Sequence, residues 1–433
     1  MIVLSNVGKL YDGSAADASA LHTGVDLLIE AGRVKAVQPH DPTLAASEAH
    51  TVVDCSAYTV TPGLIDCHAH VTVLGLAKPD MDEMLGQAQL LWVERILYAM
   101  LVNGGVTTAR DIGGATHLMK RLVDEGMLLG PRLKIAIAML STTGGHADFR
   151  GIDRCHGELS RLWPESAGRP SSIVDGPWEC RKRVREIAAC GADLIKICAS
   201  PGVASPGDAL EHRDFSPEEI QAITDEAGAR GLEVAAHAHS ASGIELAIKH
   251  GVKDIQHISF MDERLVEMAH AKDCIVTPTS WIMHELPKAG GLSDFVMGKV
   301  KQVMEVHAEA VRFAHQGGLP ILAGTDAVLP GMHGRNWAEI GALVTEGLGK
   351  LDAWYSATGL AAKHIHQTDA GTLLPGQRAD LLVCQHDVLE DPDAFERDAL
   401  LEVFKDGEAY RGGLPGVPRR RWSSDLEARL ERR

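Results

Sequence analysis

The chain has 433 residues, 45% of them hydrophobic and 4% aromatic, and a formal net charge of −17. That length exceeds most single cores and points to one large domain with a smaller one. The acidic balance disfavours nucleic acid as a partner, because phosphates need a basic face. No run of about 18 apolar residues offers a membrane span.

The start, MIVLSNVGKLYDG, lacks a charged stretch ahead of an apolar one, so no secretory leader is read there and a cytoplasmic location is expected. Residues 1–58 read as short strands: Val25–Ile29 and Arg33–Val37 flank a turn at Ala31-Gly32, and Thr51–Val53 follows. From Thr59 to Ala370 strands and helices alternate. The strand candidates are Gly63–His70, Thr107–Asp111, Leu133–Ala138, Asp193–Cys198, Glu233–His239, Asp254–Ile258, Cys274–Pro278 and Leu319–Asp326. One helix start is explicit: Ser216 as N-cap, Pro217 at the first position and Glu218-Glu219 in the first turn. The long polar stretch Asp148–Pro177 reads as a loop above the site. After Ala370, Gly371–Val383 and Glu402–Arg411 return to strands and turns. The expected fold is α/β: a (β/α)8 TIM-type barrel over 59–370, a small β-sandwich domain from 1–58 plus 371–415, and a helical tail over 416–433. The eight cysteines (Cys55, Cys67, Cys155, Cys180, Cys190, Cys198, Cys274 and Cys384) include no CxxC pair and read as reduced thiols. Arg419-Arg420-Arg421 reads as a solvated tail or a subunit contact.

Chemistry concentrates at the strand ends. His68 and His70 close the first barrel strand, and residues two apart point to one side. An HxH pair alone does not separate metal ligands from two ordinary strand histidines. Lys196 lies in the apolar run Leu194–Cys198, where a buried ammonium must be neutralised, paired or modified; a neutral amine can take up carbon dioxide to become a carbamate. His237 and His239 end a later strand, His257 the next, and Asp326 the last. Each has a bland reading, a core histidine or a helix-capping aspartate. Chance does not readily place His-x-His, Lys, His, His and Asp all at one rim.

In these residues the chain resembles the amidohydrolase superfamily, nearest the branch of Xaa-Pro dipeptidases and imidazolonepropionase-related enzymes, with ochratoxin-hydrolase-like amidases nearby. The likeness runs from Val60 to Val383. It also includes GVTTARD at Gly105–Asp111, STTGGHAD at Ser141–Asp148, SPGVASPGD at Ser200–Asp208 and GTLLPGQRADLLV at Gly371–Val383. The resemblance implies two divalent metal ions, with zinc expected. His68, His70 and Asp326 would hold one, His237 and His257 the other, and carboxylated Lys196 would bridge them. His237 is preferred to His239 because the family ligand sits in the His-Ala pair closing the strand; His239 would then face substrate. Asp326 would shuttle the proton, and His146 would bind substrate or polarise the scissile carbonyl. His333, in the loop after Asp326, is a weaker pocket candidate. Trp281 and Met283 are candidates for an apolar pocket wall or for ordinary loop packing, and Arg150 for a substrate carboxylate or a plain surface position. The implied activity is hydrolysis of an amide C–N bond in a small molecule such as a dipeptide, N-acyl amino acid or aryl amide, by a homo-oligomer. The alternatives are a xenobiotic amide, urea or carbamate, or ring opening of a cyclic amide. Single-metal chemistry is disfavoured by Lys196, and a non-enzymatic relative by the complete ligand set.

Overall fold

A computed structural model describes residues 1–46, 50–73, 86–148, 165–203, 208–290 and 292–420. The chain opens with β1 (Ile2–Val7), β2 (Lys9–Tyr11), β3 (Leu21–His22), β4 (Val25–Glu30), β5 (Arg33–Pro39), β6 (Thr51–Asp54) and β7 (Thr59–Pro62). The β4–β5 hairpin turns at Ala31 and Gly32, both at positive φ (50° and 78°), a turn whose twist matches its strands. β8 (Leu64–Ala69), β9 (Val106–Asp111), β10 (Arg132–Ile135), β11 (Met139–Leu140), β12 (Ile195–Cys198), β13 (Val234–Ala238), β14 (Asp254–His257) and β15 (Ile275–Thr277) follow, with helices between most of them. β16 (Leu381–Cys384), β17 (Leu400–Lys405) and β18 (Glu408–Ala409) come last.

The middle strands are parallel, in the orders β10-β9-β8 and β11-β12-β13-β14-β15. All but β10, where Arg132 and Lys134 are half-buried, are buried along their whole length, as parallel strands covered by helices are. Single backbone bonds connect the two sheets. Asp193 N–H donates to Ile135 O at 2.8 Å on one side. On the other, Leu322 N–H reaches Val276 O at 2.8 Å, Cys67 N–H reaches Ala323 O at 2.9 Å, and Asp326 N–H reaches His68 O at 2.8 Å. The segment expected as the last strand, Leu319–Asp326, thus touches both β15 and β8 but forms only an isolated bridge at Ile321. The expected strand Leu133–Ala138 is interrupted at Ile137, whose φ of 68° breaks the extended run before β11 resumes against β12.

The terminal strands form two further sheets, β5-β4-β1-β6 and β18-β17-β16-β7-β2-β3. The second joins both chain ends. β7, read from sequence as the beginning of the barrel segment, pairs there with β16 and β2. Leu4, Leu27 and Val34 from one sheet share an apolar cluster with Val60, Val383 and Phe404 from the other. Arg132, at the foot of β10, binds Asp380 and Asp406 at 3.0 Å each, tying these sheets to the parallel ones.

The helix Pro217–Gly228 begins as read: Ser216 Oγ accepts from Glu219 N–H, and Glu219 Oε2 accepts from Ser216 N–H at 2.7 Å. Asp148 and 165–177 of the polar stretch are described; its interior, with Cys155 and Arg150, lies outside the described residues, as does the tail beyond Arg420.

Candidate metal centre

The carboxyl ends of the parallel strands converge. In register, Cys198 stands opposite His237 and Ala238 opposite His257, so the imidazoles step across neighbouring strand ends. Two groups of donor atoms result, His68–His70–Asp326 and His237–His239–His257, each with its atoms within 4.8 Å of one another. The His68 and His70 Nε2 atoms lie 3.5 and 3.4 Å from Asp326 Oδ1. The groups adjoin, with the His68 and His257 ring centroids 4.9 Å apart. Lys196, 0% exposed, lines the same cavity.

The local backbone is bent to achieve this. His257, Ile258, Thr279 and Asp326 all adopt positive φ, at 71°, 52°, 57° and 46°, values that non-glycine residues seldom take. Gly324 permits the last approach: a methyl there would stand 2.6 Å from both His68 Cβ and Thr277 Cγ2. Gly202 does the same for His146, where a methyl would lie 1.9 Å from Cε1.

Surrounding groups orient the imidazoles. Thr279 Oγ1 holds His257 Nδ1 at 2.8 Å, and Ser259 Oγ holds His239 Nδ1 at 2.8 Å. Asp66 accepts from the Thr325 hydroxyl at 2.6 Å and from Asn336 Nδ2 at 2.7 Å, fixing the segment that carries Asp326. Gln256 bonds both Lys196 and Asp254. Sequence reading missed Ser259, Thr279, Asp66 and Gln256. Three of them sit within three residues of a chosen ligand on the same strand or turn, which was the available signal.

Burial governs the electrostatics. It pushes His68, His237 and His257 well below the ordinary imidazole range and His70 to about 3, so these rings are neutral donors of lone pairs. It lowers Lys196 to about 8, against the pull of Asp254 and Asp326, and raises Asp326 to about 7, against the pull of Lys196. His237 Nε2 and His257 Nε2, on residues of the second donor group, are buried and have no hydrogen-bond partner among the described residues, a state that a bound cation would relieve. A nitrogen-and-oxygen donor set suits zinc, manganese, cobalt or nickel.

His146 joins the cavity, stacked on His237 at 4.1 Å, and burial lowers it to about 4. Above the polar floor the wall is apolar: Val73, Met139, Ile282, Met283, Leu286 and Leu329 contribute. Met283 is in this wall; Trp281 is buried 4% exposed beneath it and does not line the cavity. His333 does not line it either, being turned to donate its Nε2–H to Val73 O, 2.7 Å away.

The amidohydrolase family profile matches residues 59–410. The ochratoxinase of Aspergillus niger is 30% identical over 378 residues, 82% of this chain and 76% of that protein. The imidazolonepropionase of Deinococcus radiodurans is 26% identical over 396 residues, 88% and 90% of the two chains. Among solved structures, a prolidase complexed with N-methylphosphonate-L-proline superposes with a TM-score of 0.84 at 31% identity, covering 95% of this chain and 99% of that one.

Proposed function

The chain belongs to the amidohydrolase family, and on that premise we propose that it hydrolyses the amide C–N bond of a small, largely apolar substrate with the help of divalent metal. The observation that carries this reading is one cavity with an apolar wall and a floor of neutral imidazoles, a buried lysine and a half-buried carboxyl. His68, His70 and Asp326 would hold one ion and His237 and His257 a second, with Lys196, carboxylated, shared between them; zinc is the metal we expect. When bound, such ions act as Lewis acids and lower the pKa of water from about 15.7 toward roughly 7.

The protein's own groups supply the rest. The Asp326 carboxyl, pushed to about 7 by burial, can accept a proton at one stage and return it at another. The return matters because an amine leaves far more easily than an amide anion. The His146 ring, fixed beside His237 and against Gly202, would polarise the scissile carbonyl. The Met283–Leu286 wall excludes water and takes the substrate's apolar group.

We read the parallel strands as a (β/α)8 barrel over 59–370. The bonds from Asp193 to Ile135 and from Cys67 to Ala323 support that reading. The terminal sheets would form a sandwich from 1–58 and 371–415. A homo-oligomer and a cytoplasmic location complete the proposal; among the described residues no helix is long and apolar enough to cross a membrane.

The test is a panel of Xaa-Pro dipeptides, N-acyl amino acids and ochratoxin-like aryl amides, assayed with and without chelator alongside metal analysis. We expect about two ions per chain and hydrolysis of an apolar member of the panel, abolished by chelation. Hydrolysis that persists in metal-free protein would sink the proposal.

A further inference from the structure

His146 rides on a turn in which every backbone N–H from Thr143 to Asp148 has an acceptor. Some of these bonds close the turn on itself. Gly145 N–H reaches Thr142 O at 2.9 Å and Asp148 N–H reaches Gly145 O at 2.9 Å. Gly144 N–H reaches Asp148 Oδ2 at 2.8 Å and Ala147 N–H reaches Ser141 Oγ at 3.1 Å. Thr143 and His146 donate outward instead. Thr143 N–H bonds Asp175 Oδ1 at 3.0 Å, at the exposed edge. His146 N–H bonds Asp214 Oδ2 at 2.9 Å, on the half-buried inner side. The Thr142 hydroxyl adds a second tie there, donating to Asp214 O at 3.2 Å. The proposed amide chemistry makes no use of Asp214.

Asp214 stands on a fixed support. Phe215, 0% exposed, packs in the core beside it, and Ser216 caps the helix Pro217–Gly228 through its reciprocal bonds with Glu219. Burial raises the Asp214 carboxyl to about 6, against the pull of the His146 N–H, so at neutral pH it is an ionised acceptor, the stronger kind for a backbone N–H. The turn is shaped to this acceptor: a methyl on Gly145 would stand 2.8 Å from Asp214 Oδ2 and 2.5 Å from Ser141 Oγ. The His146 ring is confined in turn. It stacks on His237 at 4.1 Å, and a methyl on Gly202 would meet its Cε1 at 1.9 Å and its Nδ1 at 2.2 Å. Lys299 Nζ, on a residue 4% exposed, holds Gly202 in place, donating to Gly202 O at 2.8 Å and to Asp208 Oδ1 at 2.9 Å. A ring with so little room follows its backbone, and that backbone is tied to Asp214.

We infer that Asp214 is a positioning residue for His146: from 68 positions along the chain its carboxylate fixes the inner side of the turn Ser141–Asp148, so that the imidazole meets the cavity beside His237 at one depth. Without that acceptor the His146 N–H loses its partner and the turn is held by its own bonds and by Asp175 at the outer edge. A shift of about 1 Å in a group aimed at the reacting atoms costs up to about a hundredfold in rate. This consequence for turnover rests on the proposed amide hydrolysis and on the role of His146 in it; the hold on the backbone does not.

Amide hydrogen exchange of the full chain, resolved by residue, reads the hold whatever the activity. Asp214→Ala is expected to speed exchange at the His146 amide by about tenfold or more while the helix Pro217–Gly228 keeps its protection. An unchanged His146 amide in that variant would remove Asp214 from the role. So would a parent whose His146 amide exchanges like that of an unstructured peptide, a result that counts even where the variant fails to fold. Turnover supplies the second reading. Asp214→Ala should lower kcat by about ten- to hundred-fold with bound metal unchanged. Asp214→Asn, which keeps an oxygen for the N–H, should return to within about fivefold of the parent. In a double-mutant cycle Asp214→Ala should cost less than about twofold once His146 is already alanine. Full additivity there would overturn the inference, because Asp214 would then act by another route. A parent that hydrolyses no amide would end the proposed function and leave the exchange measurement to decide the hold.

Discussion

Lys196 has the strongest individual case for chemistry. A primary amine 0% exposed, pushed by burial to about 8, is a better nucleophile toward carbon dioxide than a surface lysine and a poor choice for a merely structural strand residue. Replacing it with alanine is expected to leave fewer than one bound ion per chain by elemental analysis, and added short carboxylic acids should restore part of the loss by occupying the vacated space. Asp326 differs because it both faces the imidazoles and can move a proton. Asp326→Asn should keep the fold, by circular dichroism, and lose about 10²–10⁴-fold in kcat, the range that general acid–base groups supply; turnover within a few-fold of the parent would remove it from the proton path. These residues were legible because strand alternation assigns direction: one residue in two faces the cavity, so His68 and His70 must share a side. The choice between His237 and His239 was not legible the same way. They also lie two apart and both line the cavity, and what distinguishes them is a hydrogen bond to Ser259, twenty positions on from His239 and beyond the reach of any local pattern.

At the scale of strands and turns, the rim depends on close approach. Gly324 lies where the segment carrying Asp326 passes β8, and an added methyl would meet His68 N at 2.8 Å as well as two side-chain carbons. Backbone cannot yield as a flexible side chain does, so Gly324→Ala is expected to cost about 1–3 kcal/mol, as overpacking does. A lowered Tm together with reduced metal content would show that the strain reaches His68; an unchanged Tm would mean that the two strands part freely there. Helix starts and buried strands came through in sequence because capping residues and apolar runs act locally, as at Ser216-Pro217. Three features did not. The break at Ile137 is a left-handed residue in a β-branched position, which propensity argues against. The last strand's ladder shrinks to one bridge. β7 pairs with residues 381–384, more than 300 positions away, and with Lys9 and Leu10, about 50 positions back, so no local reading could separate it from the barrel segment.

At the scale of the whole molecule, the candidate ligands come from β8, β12, β13, β14 and the segment after β15, spanning His68 to Asp326. No short piece of chain carries the set, so an unfolded chain can offer no comparable site. An ion that binds only the folded form stabilises it by RT ln(1 + [L]/Kd), about 4 kcal/mol at a thousandfold excess over Kd. Without the ion the cost is not merely the lost term. His237 and His257 retain buried nitrogens with nothing to bond among the described residues, and burial disfavours protonating them as a remedy. Chelation should therefore lower Tm by several degrees in a scan followed by circular dichroism, and added zinc should restore it in proportion to the logarithm of its free concentration. The ion should matter less to the terminal sheets, which have their own apolar cluster around Leu4, Leu27 and Phe404 and meet the parallel strands through Arg132 and through Leu382 and Val403 of β16 and β17, not through the cavity. Hydrogen exchange makes that distinction: on chelation, amides of β8, β13 and β14 should lose protection first, while those of β1, β4 and β16 hold theirs. Equal loss in both groups would mean that the two parts unfold as one unit and that the metal stabilises the molecule as a whole.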